Sequence, residues 1–208
     1  MKDSIARILP YWNLSTPLYS YLLGMYSFGL VQSNYFDEAH KTATKALELN
    51  KTDAWAVHTV AHYYEYKNDY NAGIKFMKET ESNWSPANYL MGHNYWHLAL
   101  YNVENNDHQE ALNIFDHISN KTETLDMVDL SSLLFRLKLD STEHDLKEKW
   151  SLLKEKFEDR IEHHGYVFND AHVLMILSAC DDNQLKETFF SSLKNKLARL
   201  SLSPLSNI

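Results

Sequence analysis

Two pairs of histidines, each spaced four residues apart, are the groups in this chain best suited to do chemistry. His58 and His62 form the first pair and are followed by Glu65; His93 and His97 form the second and are followed by Tyr101 and Glu104. Helical positions i, i+4 and i+7 share a face, so each segment lines up imidazoles and a carboxylate. Val57, Val60, Ala61 and Tyr64 make a separate apolar stripe beside the first pair. Imidazole and carboxylate are ligands for Zn²⁺ and Fe²⁺, and residues projecting from facing helices are how helical bundles hold metals. Further on, Asp170 and His172 open another helical pattern with an acid and a fifth imidazole.

Three chemistries are open to these residues. They pack and hydrogen-bond beneath an aromatic-rich groove; or they recognise an anionic or aromatic ligand; or two or three imidazoles with Glu65 or Asp170 hold Zn²⁺ or Fe²⁺. A His-x-x-x-His spacing arises easily by chance among 11 histidines, but two such pairs, both followed by Glu, are a more specific pattern. In a metal-dependent hydrolase or oxygenase, Glu65 or Glu104 would act as base and Arg136 would stabilise an anion. The chain has no His-Glu-x-x-His motif, phosphate loop or Gly-rich dinucleotide fingerprint, and no Gly-x-Ser-x-Gly elbow. His40, His108, His117, His144, His163 and His164 are expected on outer helices or connectors, mostly solvated.

Helices must position these groups. Only 5 Gly and 4 Pro occur in 208 residues, too few for the turns of a β-sandwich or barrel. Three segments share a polar turn, an Ala, and a small or aromatic residue four positions later: Ala39 with Ala43, Ala72 with Phe76, and Ala111 with Phe115. Their Ala-to-Ala spacings, 33 and 39, bracket the tetratricopeptide (TPR) period of about 34. The predicted fold is all-α: tandem antiparallel helical hairpins forming a TPR-like right-handed superhelix whose first helices line a concave face.

The predicted organisation is a partial helix and connector over 1–17, three TPR-like hairpins over 18–119, hairpins of degenerate repeat type over 120–200, and a frayed tail over 201–208. The hairpins pair Leu18–Gln32 with Phe36–Leu49, Ala54–Tyr66 with Tyr70–Ser82, and Ala87–Glu104 with His108–Ser119. A fourth pairs Leu125–Leu139 with Thr142–Glu158, and two helices, Asn169–Ala179 and Asn183–Leu200, follow. Asp53 reads as a helix N-cap. Met1–Leu9 reads as the second helix of a hairpin lacking its first, an open edge that predicts self-association.

The net charge of −8 disfavours nucleic acid as a partner. No apolar run approaches the ~20 residues of a membrane helix, and no secretory leader is evident. These point to a cytoplasmic protein. The repeat architecture points to a scaffold that binds a peptide or protein partner, or a small ligand, on its His-rich concave face; a metal-dependent enzyme is the alternative. The lone Cys180, in the apolar run Val173–Cys180, is expected to be a buried structural thiol.

Several segments resemble the tetratricopeptide repeat protein 38 family. They are Asp53-Ala54-Trp55-Ala56-Val57-His58-Thr59-Val60-Ala61-His62, His93-Asn94-Tyr95-Trp96-His97-Leu98-Ala99-Leu100-Tyr101 and Phe168-Asn169-Asp170-Ala171-His172, with Gly24–Leu30 and Ser131–Leu137. The similarity runs from Met1 to about Cys180 and corresponds to the family's middle portion, so that both ends look truncated and an inert or misassembled product is one expectation. Tyr64 and Tyr66 depart from its pattern, and Lys51 stands where a Pro is usual. The resemblance implies the helical-repeat fold and marks His58, His62, His93, His97 and His172 as candidate site residues. The ligand-binding set predicted from residues and resemblance together is His58, His62, Glu65, His93, His97, Tyr101, Glu104, Arg136, Asp170 and His172. The cofactor, if one is held, is Zn or Fe on the five histidines.

Overall fold

The computed structural model describes residues 1–140 and 145–201 of the chain. Every regular element among them is helical. In chain order these are α1 (Lys2–Ile8), α2 (Tyr19–Val31), α3 (Phe36–Leu49), α4 (Ala54–Lys67), α5 (Tyr70–Trp84), α6 (Met91–Glu104) and α7 (His108–Ile118). They continue as α8 (Thr124–Asp140), α9 (Lys147–Phe157), α10 (Val167–Ala179) and α11 (Asn183–Ser201), with short 3₁₀ turns at Leu9–Tyr11 and Glu158–Arg160. None of these helices is long and apolar enough to cross a membrane. His144, the start of the predicted Thr142 helix and all but the first residue of the predicted tail lie outside the described residues. The helix predicted from Ala87 starts instead at Met91, because Ala87–Leu90 forms turns before the helical ladder begins.

The chain divides into two compact units, Met1–Ile118 and Ser119–Ile208. In the first, α2 packs with α3, α4 with α5 and α6 with α7, while α4 also packs against α2 and α6. The three hairpin turns are built alike. Asn34, Asn68 and Asn106 adopt left-handed backbone, with φ of 63°, 53° and 59°. The residue after each donates its N–H back over the helix end: Tyr35 to Leu30, Asp69 to Tyr64 and Asp107 to Asn102, at 3.0, 3.0 and 2.8 Å. This is the Schellman pattern with Asn in the position Gly usually takes, and it closes carbonyls the helix would leave bare.

These turns correct the repeat frame. Counting from them, the residue equivalent to Ala39 and Ala111 is Gly73, not Ala72: all three are the fourth residue of their helix and all three are buried. Ala72 is only half-buried. Likewise Met77, not Phe76, matches Ala43 and Phe115 in the closed core. The spacings between equivalent positions become 34 and 38. Small residues at these sites let the second helix approach the first. Ala43 and Ala46 of α3 seat against Leu23 of α2 and Ala56 and Val60 of α4.

Asp53 caps α4 as predicted. Its Oδ1 accepts from the N–H of Trp55 and Ala56 at 3.1 and 3.2 Å. Its Oδ2 is buried without a hydrogen-bond partner among the described residues, and Gly24 of α2 leaves the room it occupies: a Cβ there would stand 2.2 Å from it. Burial pushes the Asp53 carboxyl up to about 6, against the pull of the two backbone N–H groups. A carboxyl that holds its proton more tightly folded than unfolded adds stability below its unfolded value of 3.8 and loses it as pH rises through about 6. Asn caps equally well without charge. Asp53→Asn should therefore be neutral at pH 4 and more stable than the parent at pH 7, by about 1–3 kcal/mol. Denaturant unfolding of metal-free protein at the two pH values checks this.

In the second unit, α8 packs with α9 and α10, and α10 with α9 and α11. Leu130, Leu133, Leu134 and Leu137 of α8, Leu153 of α9, Leu177 of α10 and Phe189 of α11 form its closed interior. Cys180 is half-buried just past the end of α10, rather than sealed in the core as expected; partial burial raises its pKa.

Candidate metal centre

Four of the five predicted imidazoles converge. His58 and His62 project from α4, and His93 and His97 from α6, across the seam where these helices pack. One ring nitrogen from each lies within 4.8 Å of the other three. Nε2 of His58 and Nε2 of His62 are 3.0 Å apart. Ring centroids of His62 and His97 are separated by 4.5 Å, and those of His58 and His93 by 4.7 Å. A tetrahedral metal bonded at about 2.0–2.1 Å needs nitrogens about 3.3–3.4 Å apart, which small side-chain rotations from this arrangement would reach.

Aromatic rings wall the cluster. Phe28 from α2 lies 4.9 Å from the His58 ring, Trp55 stands edge-on to His58, and Trp96 stacks on His93. A pair of hydroxyls, Ser27 donating to Thr59 at 2.9 Å, ties α2 to α4 nearby. The apolar stripe predicted on α4 does face elsewhere: Val57, Val60 and Tyr64 line a cleft of about 610 Å³ together with Leu47 of α3 and Phe76 of α5.

Electrostatics make the inner imidazoles neutral. His58 is 3% exposed and His97 0%. Burial, reinforced by the neighbouring imidazoles, holds both well below the ordinary histidine pKa. Neutral imidazole is the metal-binding form. Glu65 reaches the other side of two rings, its Oε2 lying 3.5 Å from Nδ1 of His62 and 3.6 Å from Nδ1 of His97. A carboxylate behind the outer nitrogen turns the inner Nε2 toward a metal and raises its basicity.

As mere packing, this cluster is costly. Nδ1 of His58 and both ring nitrogens of His97 are buried with no hydrogen-bond partner among the described residues. If His62 directs its Nδ1–H toward Glu65, its Nε2 must accept from His58, which leaves a bare lone pair on Nδ1 of His58. Each buried unsatisfied group costs about 1–3 kcal/mol, so a fold that wanted only shape here would do better with apolar rings. Both side-chain polar atoms of Asn94, one residue past His93, are likewise buried and unpartnered among the described residues; nothing in the residue's spacing marks it.

The other predicted residues have other occupations. Tyr101 is fully buried and its hydroxyl donates to the Ala61 carbonyl at 2.5 Å, so it braces α6 on α4 rather than meeting a ligand. Burial, then the charge of Glu65, raises its pKa. Glu104 is exposed at the end of α6. Arg136, Asp170 and His172 belong to the second unit. Arg136 donates to the Ser132 carbonyl of its own helix at 3.2 Å. His172 is buried, its Nδ1 2.8 Å from the Phe168 carbonyl.

Asp170 instead meets a histidine expected to be solvated. His164 is 9% exposed; its Nδ1 is 3.1 Å from Asp170 Oδ1 and its Nε2 is 2.8 Å from Ser192 Oγ. An Asp–His–Ser alignment invites a hydrolase reading, but the Ser192 hydroxyl also has the Thr188 and Phe189 carbonyls at 3.0 and 2.9 Å. Ser192 sits inside α11, where backbone N–H groups are committed to the helix and provide no oxyanion donors. The trio pins α11 to the start of α10. Nothing in the spacing of His164, Asp170 and Ser192 announces this contact. His40 is also less solvated than expected, stacking on Tyr63 at 4.0 Å, and burial lowers its pKa.

No protein-family model matches this chain. No solved structure matches it either, so the four-imidazole geometry itself is the ground for a functional reading.

Proposed function

We propose that this chain is a helical-repeat protein that binds one first-row divalent metal ion, zinc or ferrous iron, between α4 and α6. The observation that carries the reading is the convergence of His58, His62, His93 and His97 from two facing helices, with both ring nitrogens of His97 buried and unpartnered among the described residues. Neutral imidazoles suit these ions, and Glu65 supplies the outer carboxylate that such ligands normally have. The metal would join the second hairpin to the third.

The expected result is one equivalent of zinc or iron in protein purified without chelator, or after incubation with either ion and desalting, measured by elemental analysis. The double variant His62→Ala/His97→Ala should keep its helical circular dichroism and lose the metal. Protein that takes up neither ion stoichiometrically contradicts the reading.

A second reading is that the same frame serves as a scaffold for a peptide or protein partner in the cytoplasm. The cleft between α3 and α5, floored by Val57, Val60 and Tyr64, supports it. The 34-residue spacing and repeated Asn turns favour a TPR-like superhelix, and the quoted motifs favour membership of the tetratricopeptide repeat protein 38 family. Exposed Tyr11, Leu14 and Leu18 fit the self-association predicted for the N-terminal edge.

A further inference from the structure

We propose that the four-imidazole centre is reactive rather than closed: its metal keeps a coordination position open toward solvent and takes a small anionic ligand there, with Glu65 as the outer carboxylate. This rests on the metal reading above and deepens it.

The first ground is the asymmetry of the shell. His58 and His97 close the inner side, while the His62 side chain is 25% exposed, that of Glu65 43%, and His93 is half-buried. A metal among these nitrogens is sealed by protein on one side and faces the surface on the other. Structural metal sites are saturated by protein; reactive ones keep a position for water or substrate.

The second ground is the close approach of two of the nitrogens. A closed tetrahedral set has six equal edges of about 3.3–3.4 Å. Here the edge between Nε2 of His58 and Nε2 of His62 is 3.0 Å, and all four nitrogens lie within 4.8 Å of one another. At the same bond length, a five- or six-coordinate ion has cis nitrogens about 3.0 Å apart and trans nitrogens about 4.2 Å apart. The short edge within α4 matches the cis separation of such an ion rather than the edge of a regular tetrahedron. Four protein ligands on such an ion leave one or two positions vacant.

The third ground is charge. Four neutral imidazoles do nothing to offset a dication. Glu65 is a carboxylate in contact with the cluster, and it lies behind the rings, against Nδ1 of His62 and His97. A dication in a site walled by Phe28, Trp55 and Trp96 therefore favours an anion, such as hydroxide, a carboxylate or azide, in its open position over neutral water.

Cobalt(II) reports both coordination number and exogenous ligands. Cobalt-loaded protein should show the weak visible absorption of a five- or six-coordinate ion, and azide should shift it saturably with one-to-one stoichiometry. Glu65→Gln keeps an oxygen behind the rings but removes the charge. It should weaken cobalt binding about 10-fold while tightening azide several-fold, since the anion no longer faces a carboxylate. A purely packing role for Glu65 would not move the two affinities in opposite directions. An intense four-coordinate spectrum that azide leaves unchanged overturns this proposal and leaves the metal reading standing. Failure to bind cobalt at all overturns both.

Discussion

Saturating zinc raises the melting temperature of metal-free protein by roughly 8–15 °C, and the rise disappears in His97→Ala. The size follows from linkage. An ion present at 100–1,000 times its dissociation constant stabilises the state that binds it by about 2.7–4.1 kcal/mol, and a unit of this size gains several °C per kcal/mol. The transition concerned is that of the first unit, where α4 and α6 lie in successive hairpins. Part of the gain is relief of a defect: a buried, unpartnered ring nitrogen of His97 acquires a partner. Magnesium, which prefers oxygen ligands, should not substitute. Removal of the His97 ring opens a cavity and lowers the melting temperature of the metal-free protein as well, so the decisive quantity is the zinc-induced shift within each variant. An equal shift in the parent and in His97→Ala would place the zinc elsewhere, on exposed histidines such as His117 or His163.

The seam between α4 and α6 was readable in the sequence because helical period is a strong signal and histidine is a scarce residue. Four-residue spacing placed His58 with His62 and His93 with His97, and the similar spacing of successive hairpins along the sequence suggested that the two helices lie side by side. Period alone does not say what a side chain touches. Tyr101 continues the face of His97, yet its hydroxyl turns to the Ala61 carbonyl. His164 precedes α10 in a connector, where residues are usually solvated, but its left-handed backbone, φ 44°, directs the ring inward to Asp170 and Ser192. Cys180 ends an apolar run, but lies past the end of α10 and remains half-buried. For Tyr101 and His164 the local pattern was sound and a long-range contact decided the outcome.

Gly73→Ala destabilises the first unit by about 1–3 kcal/mol, although Ala is the better helix former by about 1 kcal/mol. At this position the sequence pattern and the packing differ by one residue. Small residues at the hairpin seam suggested Ala72, since Ala stands at the equivalent points of the flanking hairpins. The structure assigns that place to Gly73, because here the opposing residue is the large ring of Tyr101. A Cβ on Gly73 would stand 2.7 Å from Tyr101 Cε2, well inside contact distance. The ring cannot simply retreat, as its hydroxyl is bonded to Ala61 on α4 and the side chain is fully buried. The clash thus sets the α5 seam against the contact that braces α6 on α4. Tyr101→Phe frees the far end of the ring at the loss of one buried hydrogen bond, about 1 kcal/mol. In that background Gly73→Ala should cost at least 1 kcal/mol less than in the parent, an interaction that a double-mutant cycle measures directly. Additive effects would mean that the ring is not held between the two helices. The same cycle tests the metal seam, since Tyr101 lies one turn beyond His97 on α6: displacement of the ring should weaken zinc binding in Gly73→Ala and restore it in the double variant.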